Sequence, residues 1–285
     1  MRIRAIKDLS QLPDAELFEE IATGAELCAA NARQIQLDSL KLDELNRTAG
    51  AKILRLAAEE EAAKVLILID AVRCPRNEMP NDFARHLQYF NDHLAKGIYA
   101  RYMCRRPHIF SDVREWVDRE RKEYYLDGPN DVDWIFYNEI LRSREEAIYV
   151  DYVENDGTHQ WHDPHRLDDL GAILPIAWNP SLSIVSALFA AGLLTAGALR
   201  VIASTWRKQE IEDTFTAFAM FDLNNQTLKN LHNANLLATR EPRILDEIAN
   251  GWLFPLYGLD LRKDSVNKDG LREVQQSWTP FGYNQ

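Results

Sequence analysis

The sequence predicts an all-α protein, an antiparallel helical bundle with a further helical C-terminal part and at most one short extended segment. Apolar residues recur every three or four positions over long stretches, as they do along one face of a helix. Residues 57–72 contain no Gly or Pro and are rich in the strong helix formers Ala, Leu, Glu and Lys. One stretch, residues 147–153, is β-branched and aromatic and is predicted to be a short strand.

Composition narrows the class of protein. The 285 residues are 46% hydrophobic and 27% charged, as in a globular chain with one large domain or two small ones. The formal net charge of −11 excludes a chain-wide basic field, so contact with nucleic acid needs a local basic patch. Three widely spaced cysteines, Cys28, Cys74 and Cys104, are typical of free thiols. With no signal peptide at the N-terminus, these thiols predict a cytoplasmic protein.

The first two helices are predicted to form an antiparallel hairpin. Pro13 and Asp14 suit the start of a helix whose apolar stripe continues to about Leu45. The second helix is predicted to be capped by Thr48 and to end near residue 73. Because the break between them is short, neighbouring helices should run antiparallel.

Three more helices are predicted before a boundary. The third covers residues 82–104 and ends before Pro107, which disfavours helix in the residue preceding it. Ser111 is the predicted N-cap of the fourth helix, and Asp131 starts the fifth. Residues 155–180 are rich in turn-forming residues, so we predict a helical domain over 1–155 and a helical C-terminal part over 156–285.

The C-terminal part is predicted to begin with a buried helix over residues 181–208. Within it, residues 182–199 are uncharged, and these 18 residues are at the lower limit of a membrane span. Their many small side chains favour close helix packing in a protein core instead, so no membrane is predicted. Further helices are expected over 210–224, 226–238 and 242–254, followed by an irregular tail.

Charged residues interrupt the apolar stripes of the second helix. Glu60 and Lys64 could form an i,i+4 ion pair on a solvated face. Alternatively, Glu61 and Lys64 enter a partly buried polar cluster supplied by other helices. His93 and Lys96, three residues apart on the third helix, would then meet them, although a histidine hydrogen-bonded into a polar core is an equally good interpretation.

A basic run follows on the same helix. Arg101, Arg105, Arg106 and His108 could bind a phosphate group and transfer a proton near neutral pH. The alternative, which we favour, is that the arginines cap the helix C-terminus, where cations are stabilised.

No cofactor or metal is predicted. The chain lacks GxxxxGK(S/T), GxGxxG, HExxH and GxSxG, which excludes the common nucleotide-binding and hydrolase classes. His159, His162 and His165 have imidazoles that suit zinc or nickel, but their spacing matches no standard zinc site and a surface loop is favoured. Residues 127–133 lack the length and closing Glu of a calcium loop, so a turn with a helix cap is favoured.

Four short motifs follow one another in a fixed order. They are Asn31-Ala-Arg, then Ala-Glu60-Glu61-Ala-Ala-Lys64, then His93-Leu-Ala-Lys96 and, after a gap, Ile148-Tyr-Val-Asp-Tyr. This order resembles the AbiV-type abortive-infection proteins of bacteria, in the HEPN (higher eukaryotes and prokaryotes nucleotide-binding) superfamily. In that family the second helix typically carries Glu-Glu-(Leu/Ala)-(Gly/Ala)-Lys, and a His-x-x-Lys follows. The resemblance covers residues 20–155.

The resemblance implies a HEPN-like domain of up-and-down helical hairpins, a homodimer and a role in phage defence. Many HEPN proteins are metal-independent ribonucleases with an Arg-x(4–6)-His motif that meets its copy across the dimer cleft. There the His acts on the ribose 2′-OH or the leaving oxygen, and the Arg stabilises the charge at phosphorus. In this chain Arg101 and His108 have six residues between them, with Pro107 ending the helix, whereas Arg85 and His93 have seven.

Two functional hypotheses follow. The first is an abortive-infection effector that arrests growth or translation, acting as a ribonuclease once a phage protein activates it; RNA and that phage protein are its expected partners. The second is a non-catalytic helical interaction module, in which the polar cluster is a structural hydrogen-bond network. The residues expected to carry function are Glu61, Lys64, His93, Lys96, Arg101 and His108.

Overall fold

The computed structural model describes residues 5–125, 136–155, 158–164, 180–267, 269, 270 and 273. Its framework is the predicted hairpin of α1 (Asp14–Glu44) and α2 (Thr48–Arg73), preceded by a 3₁₀ helix at Ala5–Gln11. Asn46 turns the chain between the two helices with a φ of 58°, in the left-handed region that Asn tolerates. The predicted ends of both helices are confirmed to within about one residue. The predicted cap is wrong, because the N-cap of α2 is Arg47 and no side chain makes a capping hydrogen bond there.

The predicted third helix is wrong as one continuous element. The chain forms α3 (Pro80–Gln88), a 3₁₀ turn (Tyr89–Asn91) and α4 (His93–Tyr102). Asp92 is extended, and its Oδ1 accepts the N–H of Ala95 at 2.9 Å. A short acidic side chain binds free backbone N–H groups best at a helix start, so Asp92 begins a new helix here.

The next two helices flank α4. Helix α5 (Phe110–Glu120) begins one residue before the predicted cap Ser111. Helix α6 (Glu139–Glu146) is capped by Asn138, whose side chain accepts N–H groups at 3.1 and 3.3 Å. The predicted helix start at Asp131 lies outside the described residues, as do the turn before it and the tail after residue 273.

Four short strands make two antiparallel hairpins. Strand β1 (Tyr124–Tyr125) pairs with β2 (Phe136–Tyr137), and β3 (Asp151–Asn155) pairs with β4 (Thr158–His162). The described chain therefore holds more extended structure than the single segment predicted, and the strand expected over 147–153 begins four residues later. The all-α class is confirmed, because helices build the framework.

The predicted buried helix over 181–208 is two helices. They are α7 (Pro180–Ala190) and α8 (Ala196–Trp206), separated by a turn in which Gly192 has a φ of 78°. A left-handed φ strains any residue with a Cβ, so glycine permits this turn. No helix in the described ranges is long and apolar enough to cross a bilayer.

The last two helices differ from prediction mainly at their starts and ends. They are α9 (Ala217–Asn233) and α10 (Pro242–Gly251). Residues 210–216 are not helical as predicted, because the side chain of Thr216 accepts the N–H of Ala219 and begins the helix there. After α10 comes an irregular stretch, residues 252–261, most of whose side chains are buried; we call it the C-terminal segment.

Helix α2 lies at the centre of the core. It contacts α1, α3, α4, α7 and α8, and its residues 65–72 are almost completely buried. One continuous cluster of buried apolar side chains includes residues from both predicted parts of the chain. The boundary near residue 155 stays a prediction.

A buried ion pair joins α2 to the C-terminal segment. Arg73, 1% exposed, lies 3.1 Å from Asp70 and donates to the carbonyl oxygen of Leu253 at 2.9 Å. Asp70 Oδ2 also accepts the hydroxyl of Tyr99 at 2.6 Å and the N–H of Leu256 at 2.8 Å. Buried charges are tolerated only when paired and hydrogen-bonded, and here the bonds come from distant parts of the chain.

Candidate functional site

One carboxylate on α2 holds two side chains of α4. Glu60 Oε2 lies 2.8 Å from His93 Nδ1 and 2.8 Å from Lys96 Nζ. Because His93 and Lys96 are three residues apart, they lie on one face of α4. The predicted meeting of His93 and Lys96 with the second helix is present, but the acid is Glu60 and not Glu61. We call Glu60, His93 and Lys96 the Glu60 cluster.

The three side chains differ in exposure. The cap at Asp92 makes His93 the first residue of α4, and 47% of its side chain is exposed. Lys96 lies one turn further along and is only 6% exposed, while Glu60 is 18% exposed. The imidazole is therefore the member of the cluster that a ligand can reach most easily.

Charge and hydrogen bonding keep Glu60 ionised. Burial alone would raise its pKa, but the hydrogen bonds from Lys96 and His93 and the positive charge of Lys96 outweigh burial. The pKa of Glu60 therefore lies below its usual value. An ionised carboxylate only accepts hydrogen bonds, so the contact favours the His93 tautomer with the proton on Nδ1, in which Nε2 carries the lone pair.

Helix α6 adds a cation that the sequence did not indicate. Arg144 Nε lies 3.2 Å from Glu60 Oε1, and its side chain is 37% exposed. The approach of α6 depends on Gly97, because a Cβ there would overlap Ile140 Cγ2. A glycine one residue after Lys96 thus brings α6, and with it Arg144, to the Glu60 cluster.

Further along α4, Arg101 joins a second group of charges. It donates to Ser143 Oγ at 3.0 Å and lies 3.6 Å from Glu120 Oε2, a carboxylate of α5. Arg105 and Arg119 both lie 3.9 Å from the other oxygen of Glu120. Three arginines share one carboxylate, so this surface is locally positive in a chain of net charge −11.

Comparison with known protein families matches residues 20–172, more than half of the chain, to AbiV of the HEPN superfamily. The chain belongs to the AbiV family. This confirms the resemblance drawn from the four short motifs, and it links the protein to abortive infection, a form of phage defence. No curated protein and no solved structure matches the chain.

In this AbiV protein, Glu61 and Lys64 are not part of the Glu60 cluster. They form an ion pair with each other, and Lys64 Nζ lies 5.2 Å from the centroid of the Phe90 ring. The predicted pairing of Glu60 with Lys64 is therefore wrong as well. Asn31 is exposed on α1 and makes no hydrogen bond to the pair in the described structure.

His108 is not presented by the helix that carries Arg101. Helix α4 ends at Tyr102, and His108 lies exposed in the connection to α5. Its backbone N–H donates to Asp112 Oδ2 at 3.0 Å, and its carbonyl accepts from Ala217 at 2.8 Å. The two side chains predicted to act together thus belong to different elements.

Of the other sequence candidates, only two fall within the described residues. His159 and His162 lie on β4, whereas His165 and residues 127–133 fall outside the described ranges. Among the described residues, no group of three or more His, Cys, Asp or Glu is placed to hold a metal ion.

Sequence reasoning missed Glu60 as the acid and Arg144 as its partner. The signal for Glu60 was present, since the AbiV motif contains both glutamates, but adjacent residues of a helix differ by about 100° in direction. Which one faces α4 depends on packing. Arg144 had no signal, because its approach to Glu60 depends on the packing of α6 against α4 at Gly97.

Proposed function

We propose that this AbiV protein arrests phage infection by cleaving RNA, with His93 as the proton-transferring group. The observation that carries the proposal is an accessible imidazole whose Nδ1 is held by an ionised carboxylate, Glu60, at 2.8 Å. Carboxylate-oriented histidines are common general bases, because the carboxylate sets the tautomer and stabilises the imidazolium that forms.

The proposed step is an internal transesterification. His93 Nε2, which has no hydrogen-bond partner among the described residues, removes the proton of a ribose 2′-OH. The 2′-oxygen attacks the adjacent phosphorus, the bond to the 5′-oxygen breaks, and that oxygen takes up a proton from solvent water. His93 then returns the proton from the 2′-OH to the solvent. The products are a 2′,3′-cyclic phosphate and a 5′-hydroxyl, formed without the need for a metal ion.

Neighbouring cations support the same chemistry. Arg144 and Arg101, each 37% exposed, lie on either side of the contact between α4 and α6. Their guanidinium groups would stabilise the negative charge that develops on the phosphate oxygens. Lys96 is too buried to touch RNA, and its part is to keep Glu60 ionised and in place.

The test is incubation of purified protein with total RNA and with tRNA in EDTA, before and after adding lysate from phage-infected cells. Wild type should produce 5′-hydroxyl ends, His93→Ala should lower the rate at least about a hundredfold, and Glu60→Gln should lower it less. His108→Ala is the matched control. Circular dichroism should show that the fold of His93→Ala is unchanged, since its side chain is half exposed.

Two results would contradict the ribonuclease. One is full phage defence by a folded His93→Ala protein. The other is the absence of RNA cleavage, before and after the infected lysate is added, by a wild-type protein that still protects cells.

One observation favours a second candidate, a non-catalytic interaction module. The Glu60 cluster connects α2, α4 and α6, as a structural network would. In that case His93→Ala would lower the melting temperature and defence together, and the conservative His93→Gln would restore both. Under the catalytic proposal, His93→Ala and His93→Gln both keep the melting temperature of the wild type, and neither cleaves RNA.

Assembly and control belong to the same proposal. The HEPN family supports a homodimer, and the family's role in phage defence supports activation by a phage protein in the cytoplasm. Light scattering of the purified protein with and without infected lysate tests the dimer.

A further inference from the structure

A cavity of about 300 Å³ lies between the end of α4 and helix α5. Its lining includes Tyr102, Arg105, Arg106, Asp112 and Trp116, and none of the residues of the Glu60 cluster. The volume is at the lower end of the range for small-molecule sites. The cavity is therefore a separate feature of this surface.

Neither arginine of the lining is hydrogen-bonded to a carboxylate in the described structure. Arg106 Nη1 donates to the carbonyl oxygens of Arg105 at 2.8 Å and Met103 at 3.4 Å, but within the described ranges no carboxylate lies in ion-pair range of it. Arg105, 51% exposed, reaches Glu120 only at 3.9 Å. Carbonyl oxygens satisfy donors without neutralising charge, so the lining stays positive.

The one carboxylate of the lining is already used by the backbone. Asp112 Oδ2 accepts the N–H groups of His108 at 3.0 Å and Ile109 at 3.3 Å. These bonds fix the connection between α4 and α5 as the wall of the cavity. They also direct the carboxylate toward the backbone rather than toward the arginines.

Trp116 supplies a donor that has no acceptor. Its side chain is buried, and within the described structure Nε1 makes no hydrogen bond. Tyr102 stacks on the ring with centroids 5.6 Å apart, and the Arg105 guanidinium lies 5.3 Å from its centroid. A buried N–H without an acceptor is destabilising, so a ligand oxygen would relieve a cost already present in the fold.

We propose that this cavity binds a phosphate monoester. Two guanidinium groups and an indole N–H offer only donors, and a terminal phosphate offers three unsubstituted oxygens that only accept. A phosphodiester within a chain has two such oxygens and half the charge. The phosphate could be that of a mononucleotide or that of the 5′ end of an RNA chain.

The experiment is isothermal titration of the full protein with four probes, two of which carry the phosphate. These are AMP and a 5′-phosphorylated 2′-O-methyl oligonucleotide, which cannot be cleaved by attack of a 2′-OH. Adenosine and the 5′-hydroxyl oligonucleotide are the matched controls. We expect saturable binding by the phosphorylated member of at least one pair. Preference for AMP would identify a free nucleotide, and preference for the oligonucleotide an RNA end.

Variants connect binding to the cavity. Arg106→Gln and Trp116→Phe should each weaken binding by about tenfold, the loss of one strong hydrogen bond. Arg243→Gln, an exposed arginine of α10 without an ion pair in the described structure, should leave it unchanged. The proposal is overturned if neither phosphorylated probe binds better than its control, or if Arg106→Gln binds as Arg243→Gln does. Because no cleavage is measured, the outcome is independent of the ribonuclease proposal.

Discussion

At the scale of single residues, the Glu60 carboxylate sets the properties of the candidate site. It holds His93 and Lys96 at 2.8 Å and Arg144 at 3.2 Å. Burial would raise its pKa, but the hydrogen bonds and positive charges of Lys96 and His93 lower it. A group with a lowered pKa contributes stability above its unfolded pKa, and that stability is lost as the pH falls through the folded value.

Glu60→Gln should therefore have a pH-dependent cost. Near pH 7 we expect the free energy of unfolding to fall by about 2 kcal/mol, since Lys96 loses its charged partner in a buried position. Below the folded pKa of Glu60 the wild-type carboxyl is protonated too, so the difference between the proteins should shrink. Urea unfolding across this range measures it, with Glu26→Gln on the exposed face of α1 as control. If the difference in stability between wild type and Glu60→Gln did not change with pH, Glu60 would not be the ionised partner of Lys96.

How far the site could be predicted is also decided at this scale. His93 and Lys96 were predictable as a pair, because a three-residue spacing places them on one helical face. Glu60 and Glu61 were not separable, since each interrupts an otherwise apolar stripe of α2. Only the packing of α4 against α2 decides between them.

At the scale of elements, the site depends on how closely α6 approaches α4. Gly97 is the point of contact, and Ile140 occupies the space that a Cβ would need. This contact places Arg144 near Glu60 and Ser143 near Arg101. The absence of a side chain at Gly97 thus allows both the contact of Arg144 with Glu60 and that of Arg101 with Ser143.

Gly97→Ala should be destabilising although alanine is the better helix former. We expect a loss of about 1–3 kcal/mol, the usual cost of an overpacked contact, together with lower activity as Arg144 moves away. Gly24→Ala is the matched control, because its Cβ would meet Leu68 at an ordinary 3.5 Å and should stabilise α1 by up to about 1 kcal/mol. Thermal denaturation compares the two. If the two variants changed the stability equally, the close contact between Gly97 and Ile140 would be refuted. The double variant Gly97→Ala with Ile140→Ala should recover part of the stability lost in Gly97→Ala.

Helices with strong end signals were predictable, and breaks inside apolar runs were not. The starts of α1 and α2 lie within one residue of the signals at Pro13 and Thr48, although Thr48 is the first helical residue and not the cap. The break before α4 depends on the Asp92 cap. The apolar residues before and after Asp92 continue the same helical periodicity, so the sequence shows no interruption there. The turn between α7 and α8 depends on the left-handed φ of Gly192, and glycine in a small-residue helix gives no distinct signal.

At the scale of the whole molecule, a buried ion pair connects α2 to residues far along the chain. Asp70 and Arg73 bond to Tyr99 on α4 and to Leu253 and Leu256 in the C-terminal segment. The guanidinium of Arg73 also lies 3.8 Å from the ring of Trp206 on α8. The pair therefore connects α2 with α4, α8 and the C-terminal segment.

Asp70→Asn should be among the most destabilising single changes. It leaves Arg73 charged in a site where only 1% of its side chain is exposed, at an expected cost of about 3–5 kcal/mol. Glu19→Gln is the control, since it removes an exposed pair with Arg200 between α1 and α8 and should cost less than about 1 kcal/mol. Guanidinium unfolding measures both. Similar losses of unfolding free energy in Asp70→Asn and Glu19→Gln would contradict the importance of the buried pair. Adding Arg73→Met to Asp70→Asn should restore part of the stability.

The position of the C-terminal segment has a consequence for biosynthesis. Asp70 is translated early, but its bond to Leu256 can form only after the ribosome has added almost two hundred further residues and released them from its exit tunnel. Until then the nascent chain carries an unfinished core around α2, and exposed apolar surface of this kind makes a chain prone to aggregation. The helices that hold the Glu60 cluster therefore reach their final packing late in synthesis.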